Sequence, residues 1–230
     1  AGAGLSHPEK RAATSGEAKT ICIYMCRHGT TTWNLAKKWQ GEQDTDLAPE
    51  GIAQAEATAK ALAARIEACS GVFTSDLKRA KATAEIYAKE LGCSVTVEPR
   101  LREPSLGVFE GMIKSDIYSK YADLFKRMSV LTQSDRLHVA YFDGLETPAQ
   151  TSERAEAAAR DVFHDLPNGS TVLFVTHSKV LEALLAKVFG KFYEGVHTTP
   201  GAFFEWTYSE DAHSLSHCHK IEFHDYQVEQ

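Results

Sequence analysis

No apolar run in this chain approaches the ~20 residues that a helix needs to cross a bilayer. The longest, such as Ile21–Cys26 and Val172–Val175, suffice for one strand each, so a membrane-spanning helix is excluded. Cysteine is scarce, with five residues (Cys22, Cys26, Cys69, Cys93 and Cys218) and no C-x-x-C pair. Placed on one strand, Cys22 and Cys26 would stand roughly 13 Å apart, beyond the reach of a disulfide. That usage fits reduced, intracellular thiols rather than a disulfide framework. Positive charge is also short: 25 Lys and Arg face 31 Asp and Glu, a formal net charge of −6. Nonspecific nucleic-acid or anionic-membrane binders carry the opposite balance, so neither partner is expected and any anion site is a local exception. Collagen-like, coiled-coil, repeat and low-complexity patterns are missing as well.

What is present is an ordinary globular composition, 43% hydrophobic and 24% charged over 230 residues. It supports one large domain or a domain with an inserted cap. Residues 1–19, rich in Ala, Gly, Ser and charge and lacking an apolar signal core, read as a disordered leader. Residues 20–230 form the expected single domain. The expected location is the cytoplasm, or an organelle if the leader is removed on import.

Wholly apolar Ile21–Cys26 has the pattern of a strand buried on both faces of a parallel sheet. Between Glu50 and Cys69 the positions Ile52, Ala55, Ala59, Leu62, Ala63 and Ile66 mark one helix face, with Pro49 in its first turn and Ala48 as a poor cap. Val72–Thr74 reads as a strand, with Ser75 and Asp76 offering an N-cap to a helix through Arg79, Ala84 and Tyr87 towards Gly92. Val95–Val97 predicts a third strand, followed by a loop carrying Glu103, Gly107 and Gly111. Over 114–147, Ile117, Tyr121, Leu124, Phe125 and Met128 suggest one helix in a cap over the sheet. A helix over 148–165, a strand over Thr171–Thr176, a helix over Ser178–Phe189 and two β-rich segments at 201–208 and 214–223 complete the chain. The fold class is therefore α/β: a three-layer sandwich with a mostly parallel central sheet flanked by helices, plus a small cap insert.

In open α/β sheets the ligand crevice lies outside the carboxyl ends of the strands. Four expected strands deliver chemistry there: the first ends at Arg27-His28, the second leads to Arg79, the third to Glu103, and the fourth ends at His177. Two guanidinium forks can pair phosphate oxygens and offset spreading charge. A neutral imidazole can attack phosphorus, and a carboxylic acid can protonate the departing alkoxide. Metal and cofactor are not required. Taken singly, a strand-end histidine is more often structural, Arg79 a helix-surface charge and Glu103 a loop carboxylate; coincidence at four strand ends favours the functional reading.

Arg27–Asn34, RHGTTTWN, resembles the signature of the histidine phosphatase superfamily, in the branch that includes the cofactor-dependent phosphoglycerate mutases. Trp39-Gln40-Gly41, Thr74-Ser75-Asp76-Leu77 with Arg79-Ala80, Leu101-Arg102-Glu103 and Val175-Thr176-His177 continue the match in order. The resemblance implies that His28 is the phosphorylated nucleophile, that Arg27, Arg79 and His177 form the phosphate pocket, and that Glu103 is the proton donor. It also implies substrate contacts at Asn34, Thr30, Gly41 and Ser178. Thr30, Ser178 and Gly144-Leu145-Glu146-Thr147 depart from the family pattern and bear on pocket shape. Mutases of this branch show R-H-Y-G after the acid and a longer cap, whereas here Glu103 is followed by Pro104-Ser105-Leu106-Gly107. The expected activity is thus a metal-independent phosphomonoester hydrolase acting on a small phosphorylated metabolite; a mutase-type phosphotransferase and a catalytically weak phosphate-binding scaffold are the alternatives. A homodimer is left open. The C-terminal histidines His213, His217, His219 and His224 around Cys218 suggest a zinc pair only weakly, since no second pair matches. Lys114, Lys126, Arg127, Arg136 and His138 suit either a second anion or a solvated face.

Overall fold

The computed structural model describes residues 18–189, 200–211 and 214–221. Six strands form one sheet: β1 (Thr20–Arg27), β2 (Val72–Thr74), β3 (Val95–Val97), β4 (Thr171–Thr176), β5 (Phe203–Ser209) and β6 (Ser214–Ile221), in the order β3-β2-β4-β1-β5-β6. The first four run parallel; β5 is antiparallel to both β1 and β6. Among the described residues eight α-helices accompany them: α1 (Thr32–Leu35), α2 (Pro49–Arg65), α3 (Lys78–Leu91), α4 (Lys114–Lys120), α5 (Ala122–Ser129), α6 (Gln133–Leu137), α7 (Pro148–Asp165) and α8 (Ser178–Phe189).

The period of two along each central strand explains the layers. Ile21, Ile23 and Met25 of β1, with Val172 and Phe174 of β4, face a core completed by Ala155, Ala159 and Val162 of α7 and Leu181 and Leu184 of α8. The intervening Tyr24, Cys26, Leu173 and Val175 face the opposite core with Ala55, Ala59 and Leu62 of α2 and Ala84 and Tyr87 of α3. Both faces are covered, so β1 and β4 read as continuous apolar runs instead of alternating ones.

Several local expectations are corrected. On α2 the buried face is Gly51, Ala55, Thr58, Ala59 and Leu62, while Ile52 is 43% exposed and Ala63 is exposed. Thr58 enters the buried stripe because its hydroxyl donates to the Gln54 carbonyl at 2.8 Å. Leu77, not Ser75 or Asp76, is the N-cap of α3, and no side chain caps it. Tertiary partners claim both: Ser75 reaches His177 and Asp76 pairs with Arg102. The single helix expected after residue 114 is two, because Tyr121 leaves helical geometry at φ −114°, ψ 31°. The break turns Ile117, Tyr121, Leu124 and Phe125 onto Phe109 and Trp39 in a separate small core. The closing strands start or stop two residues from their expected bounds. The short helix α1 was not expected; Thr31 and Asn34 build it as a reciprocal capping box.

The described cysteines Cys22, Cys26, Cys69 and Cys93 are free. No helix among the described residues is long and apolar enough to cross a membrane. His213, His224 and residues 1–17 lie outside the described residues, as do the side chains of His217 and His219.

One backbone contact locks the loop after β1 to α2. The Thr30 carbonyl accepts from the Ala48 amide at 2.9 Å, and a Cβ on Gly51 would sit 2.0 Å from that carbonyl oxygen. Gly51→Ala is therefore expected to destabilise by about 1–3 kcal/mol, as overpacking does, although the same exchange on a free helix face gains up to ~1 kcal/mol. A urea melt checks the sign, and a higher midpoint in the variant would contradict a tight contact.

Candidate active site

The parallel ladder carries β1 past its last residue. The His28 amide donates to the Thr176 carbonyl at 3.0 Å, and this fixes the ring at the sheet's carboxyl edge. His28 Nδ1 lies 2.7 Å from the Gly29 carbonyl, and Arg79 Nε lies 3.2 Å from His28 Nε2. A carbonyl can only accept and a guanidinium can only donate, so these two bonds define the tautomer. Nδ1 holds the proton, and the Nε2 lone pair faces Arg79. Burial, then the charges of Arg27 and Arg79, hold the His28 pKa well below that of a free imidazole. The ring is thus neutral, with Nε2 unprotonated and accepting from Arg79.

Arg79 occupies the first turn of α3 and is 1% exposed. Its other nitrogens donate to the Gln43 and Gly41 carbonyls, each at 2.7 Å. Burial pushes its pKa down to about 10, which leaves it a cation at neutral pH. Gly41 presents its carbonyl from a backbone at φ +53°, and a Cβ there would meet Glu110 Oε1 at 2.2 Å. Glu110 in turn accepts from the Glu42 amide, the Gln43 side chain, the Leu106 amide and the Ser105 hydroxyl. Burial alone would raise its pKa; those four donors outweigh burial and lower it. Glu110 is accordingly an ionised clamp between the 41–43 and 105–106 segments.

His177, at the end of β4, is fully buried, and its ring centroid lies 5.2 Å from that of His28. Its Nε2 is 2.6 Å from Ser75 Oγ, while Nδ1 has no hydrogen-bond partner among the described residues. Burial and then Arg79, His28 and Arg27 hold its pKa well below the usual value. Glu103 is 6% exposed and accepts from the Lys179 amide at 3.1 Å and the Ser178 hydroxyl at 3.3 Å. Burial raises its pKa against the pull of Arg79, Lys179 and Arg27, favouring the protonated acid. Arg27, half-buried, has its pKa lowered by burial, with Glu103 opposing.

Sheet geometry thus gathers all five residues singled out at the strand ends. Gly41 acts through its carbonyl on Arg79, and Ser178 touches the carboxyl of Glu103. Asn34 is engaged with Thr31, whose amide and hydroxyl both donate to its Oδ1 at 3.0 Å. The Thr30 hydroxyl points to Gln54 at 3.4 Å. Two contributors escaped sequence reasoning. Ser75, read there as a helix cap, touches His177; Thr83 Oγ1 accepts from the Gly29 amide and donates to the Arg79 carbonyl, tying the two loops together. Each stands four residues from Arg79 in the sequence, and that spacing was the available signal. No group of three or more His, Cys, Asp or Glu among the described residues is arranged to hold a metal ion.

The family profile described as histidine phosphatase superfamily (branch 1) matches residues 23–217. The chain belongs to that superfamily. A relative named "probable phosphoglycerate mutase GpmB" in Salmonella arizonae is 36% identical over 169 residues, covering 73% of this chain and 74% of the relative. The Photorhabdus laumondii protein of the same name is 33% identical over 168 residues, covering 73% and 74%. Among solved structures, Bacillus stearothermophilus YhfR is 26% identical with a TM-score of 0.71, covering 85% of this chain and 94% of its own. A mycobacterial glucosyl-3-phosphoglycerate phosphatase complexed with VO3 shares the fold at 22% identity and a TM-score of 0.70, covering 90% and 99%. The superfamily thus brings both phosphatase and mutase names into comparison with this one chain.

Two buried neutral histidines in this superfamily member set a pH dependence. Their folded pKa values lie below the unfolded value of about 6.5. The unfolded chain binds more protons in that interval, so stability is complete above pH ~6.5 and is lost as pH falls towards the folded values. Each histidine contributes a slope of up to about 1.4 kcal/mol per pH unit. Urea midpoints taken between pH 7.5 and 5.5 should fall, and His28→Asn should reduce the fall. An unchanged slope in the variant would mean that His28 titrates normally in the fold.

Proposed function

We propose that this superfamily member is a phosphomonoester hydrolase that works through a phosphohistidine on His28, with a small phosphorylated metabolite as substrate. The carrying observation is the unprotonated Nε2 of His28, held neutral and accepting from the Arg79 guanidinium. The phosphoryl group enters where Arg79 Nε now meets the ring. Arg27, Arg79 and His177 stabilise its equatorial oxygens, as fixed donors do for charge that develops in a transition state. Nε2 attacks phosphorus; the P–N bond forms as the ester P–O bond breaks. Glu103 gives its proton to the leaving oxygen, and burial favours the protonated form that this step needs. Glu103, now a carboxylate, then takes a proton from water as that water attacks the phosphohistidine, releasing phosphate and restoring both groups. No metal is called on in either step.

The names of the curated relatives favour a second reading, a phosphoglycerate mutase. Against it stands the segment after the acid, Pro104-Ser105-Leu106-Gly107, which lacks the R-H-Y-G run of the mutase type. Product analysis separates the two: a hydrolase releases inorganic phosphate from phosphoglycerate or other monoesters, whereas a mutase moves the phosphoryl group between hydroxyls and releases little.

His28→Ala is expected to abolish both turnover and an acid-labile, base-stable phosphoprotein trapped from labelled substrate; equal labelling of the variant would remove His28 from its role. Glu103→Gln should cost about 10²–10⁴-fold on an alkyl phosphate and far less on nitrophenyl phosphate, whose oxide departs without a proton. Equal losses on both esters, with no burst, would take Glu103 out of the acid step.

A further inference from the structure

The space outside Glu103 carries information that the phosphate pocket does not. A recess enclosing about 520 Å3, open mouth included, is lined by Glu103 itself with Arg102, Glu42, Leu145, Glu146 and Arg154. It shares Pro104, Ser105, Leu145 and Glu146 with a second recess of about 670 Å3. The walls of the second are Leu106, Met128, Val139 and Tyr141.

Three cations along this path, Arg102, Arg154 and Lys179, are matched by carboxylates. Arg102 binds Asp76 through two nitrogens at 2.9 and 2.7 Å and reaches Glu42 at 3.1 Å. Arg154 forks onto Glu146 at 2.8 Å, and its third contact is the Arg100 carbonyl at 2.6 Å. Lys179 Nζ holds Glu182 at 2.7 Å. In the second recess the charged lining is two cations, Arg136 and Lys179, and two carboxylates, Glu146 and Glu182, so the formal charge is zero. A further anionic group on the substrate would have to displace a carboxylate from Arg102, Arg154 or Lys179, or enter a lining with no net positive charge, whereas a hydrocarbon surface gains simply by leaving water.

We propose that the alcohol released from the phosphoester is uncharged and carries an apolar body, aliphatic or aromatic, seated against Leu106, Met128, Val139 and Tyr141, so that the phosphoryl group is the substrate's one anion. This rests on the hydrolase reading above and names its substrate class. It places phosphoglycerates, with their extra carboxylate, among the poor substrates.

The test is kcat/KM for methyl, butyl and hexyl phosphate and for 3-phosphoglycerate, with phosphohistidine trapping run alongside. The three alkyl esters have nearly the same leaving oxygen, so differences among them report burial of the chain. The expected rise is about fourfold per buried methylene, with 3-phosphoglycerate tenfold or more below butyl phosphate. Met128→Lys adds a cation to the apolar wall and should flatten the chain-length slope while raising 3-phosphoglycerate. Val139→Ser, at a more exposed position, should flatten the slope as well and covers the case in which the lysine variant fails to fold. A flat alkyl series, or 3-phosphoglycerate ahead of hexyl phosphate, with phosphate still trapped on His28, would overturn the substrate class and leave the hydrolase reading standing. No release and no trapped phosphate from any ester would overturn both.

Discussion

The guanidinium of Arg79 is the buried charge around which the rest of the site is organised. An arginine this enclosed costs several kcal/mol in lost hydration unless its donors are satisfied. Here Nε meets His28 and the two terminal nitrogens meet the carbonyls of Gly41 and Gln43. Those carbonyls sit on a loop with no regular secondary structure, so the charge imposes the loop's shape as much as the loop satisfies the charge. Glycine at 41 follows from that shape, and Glu110 then fills the space where a side chain would have been. A cation, a left-handed turn and an acidic clamp form one unit, in which removing any member leaves buried polar groups unpaired.

The same guanidinium sets the proton positions. It can only donate, so His28 Nε2 must be bare, and its positive charge adds to burial in keeping both imidazoles neutral. Glu103 experiences the opposite balance: burial raises its affinity for a proton, and the neighbouring cations only moderate that. The proton affinities of His28 and Glu103 are thus shifted in opposite directions by one desolvated enclosure. Desolvation strengthens each fixed charge here relative to water, which is the condition under which guanidinium and imidazole donors can stabilise a phosphoryl group.

Outside the enclosure the charge pattern changes. Arg100, Arg102 and Arg154 all have carboxylate partners, and several of these pairs are partly exposed. Exposed pairs contribute little to stability one by one. Their consequence lies in the electrostatics: the approach to Glu103 is close to neutral although the pocket floor is cationic. Unbalanced positive charge is therefore confined to the enclosure around Arg27 and Arg79, while the aromatic and aliphatic residues of α5 and the 139–145 segment wall the recess outside it.

The sequence by itself determined the layered fold and singled out the candidate residues at the strand ends. Strands buried on both faces have to be apolar at every position, which makes β1 and β4 visible as runs, and the residues that stop those runs, Arg27, His28 and His177, are the ones the sheet delivers to its carboxyl edge. Ordered motifs around Arg79 and Glu103 completed the set. What only the tertiary structure decided are contacts between segments far apart in the chain. Ser75 looked like a helix cap because its local alternatives are satisfied at short range, and only the approach of β4 gives it His177 instead. Ile52 and Thr58 exchange their expected exposure because the neighbouring layer, not the spacing alone, selects which stripe of α2 is covered. The break at Tyr121 goes with aromatic packing on Phe109, a partner outside the helix. Tautomer, proton affinity and pocket charge depend on distances between such segments, and those distances exist only once the chain has folded.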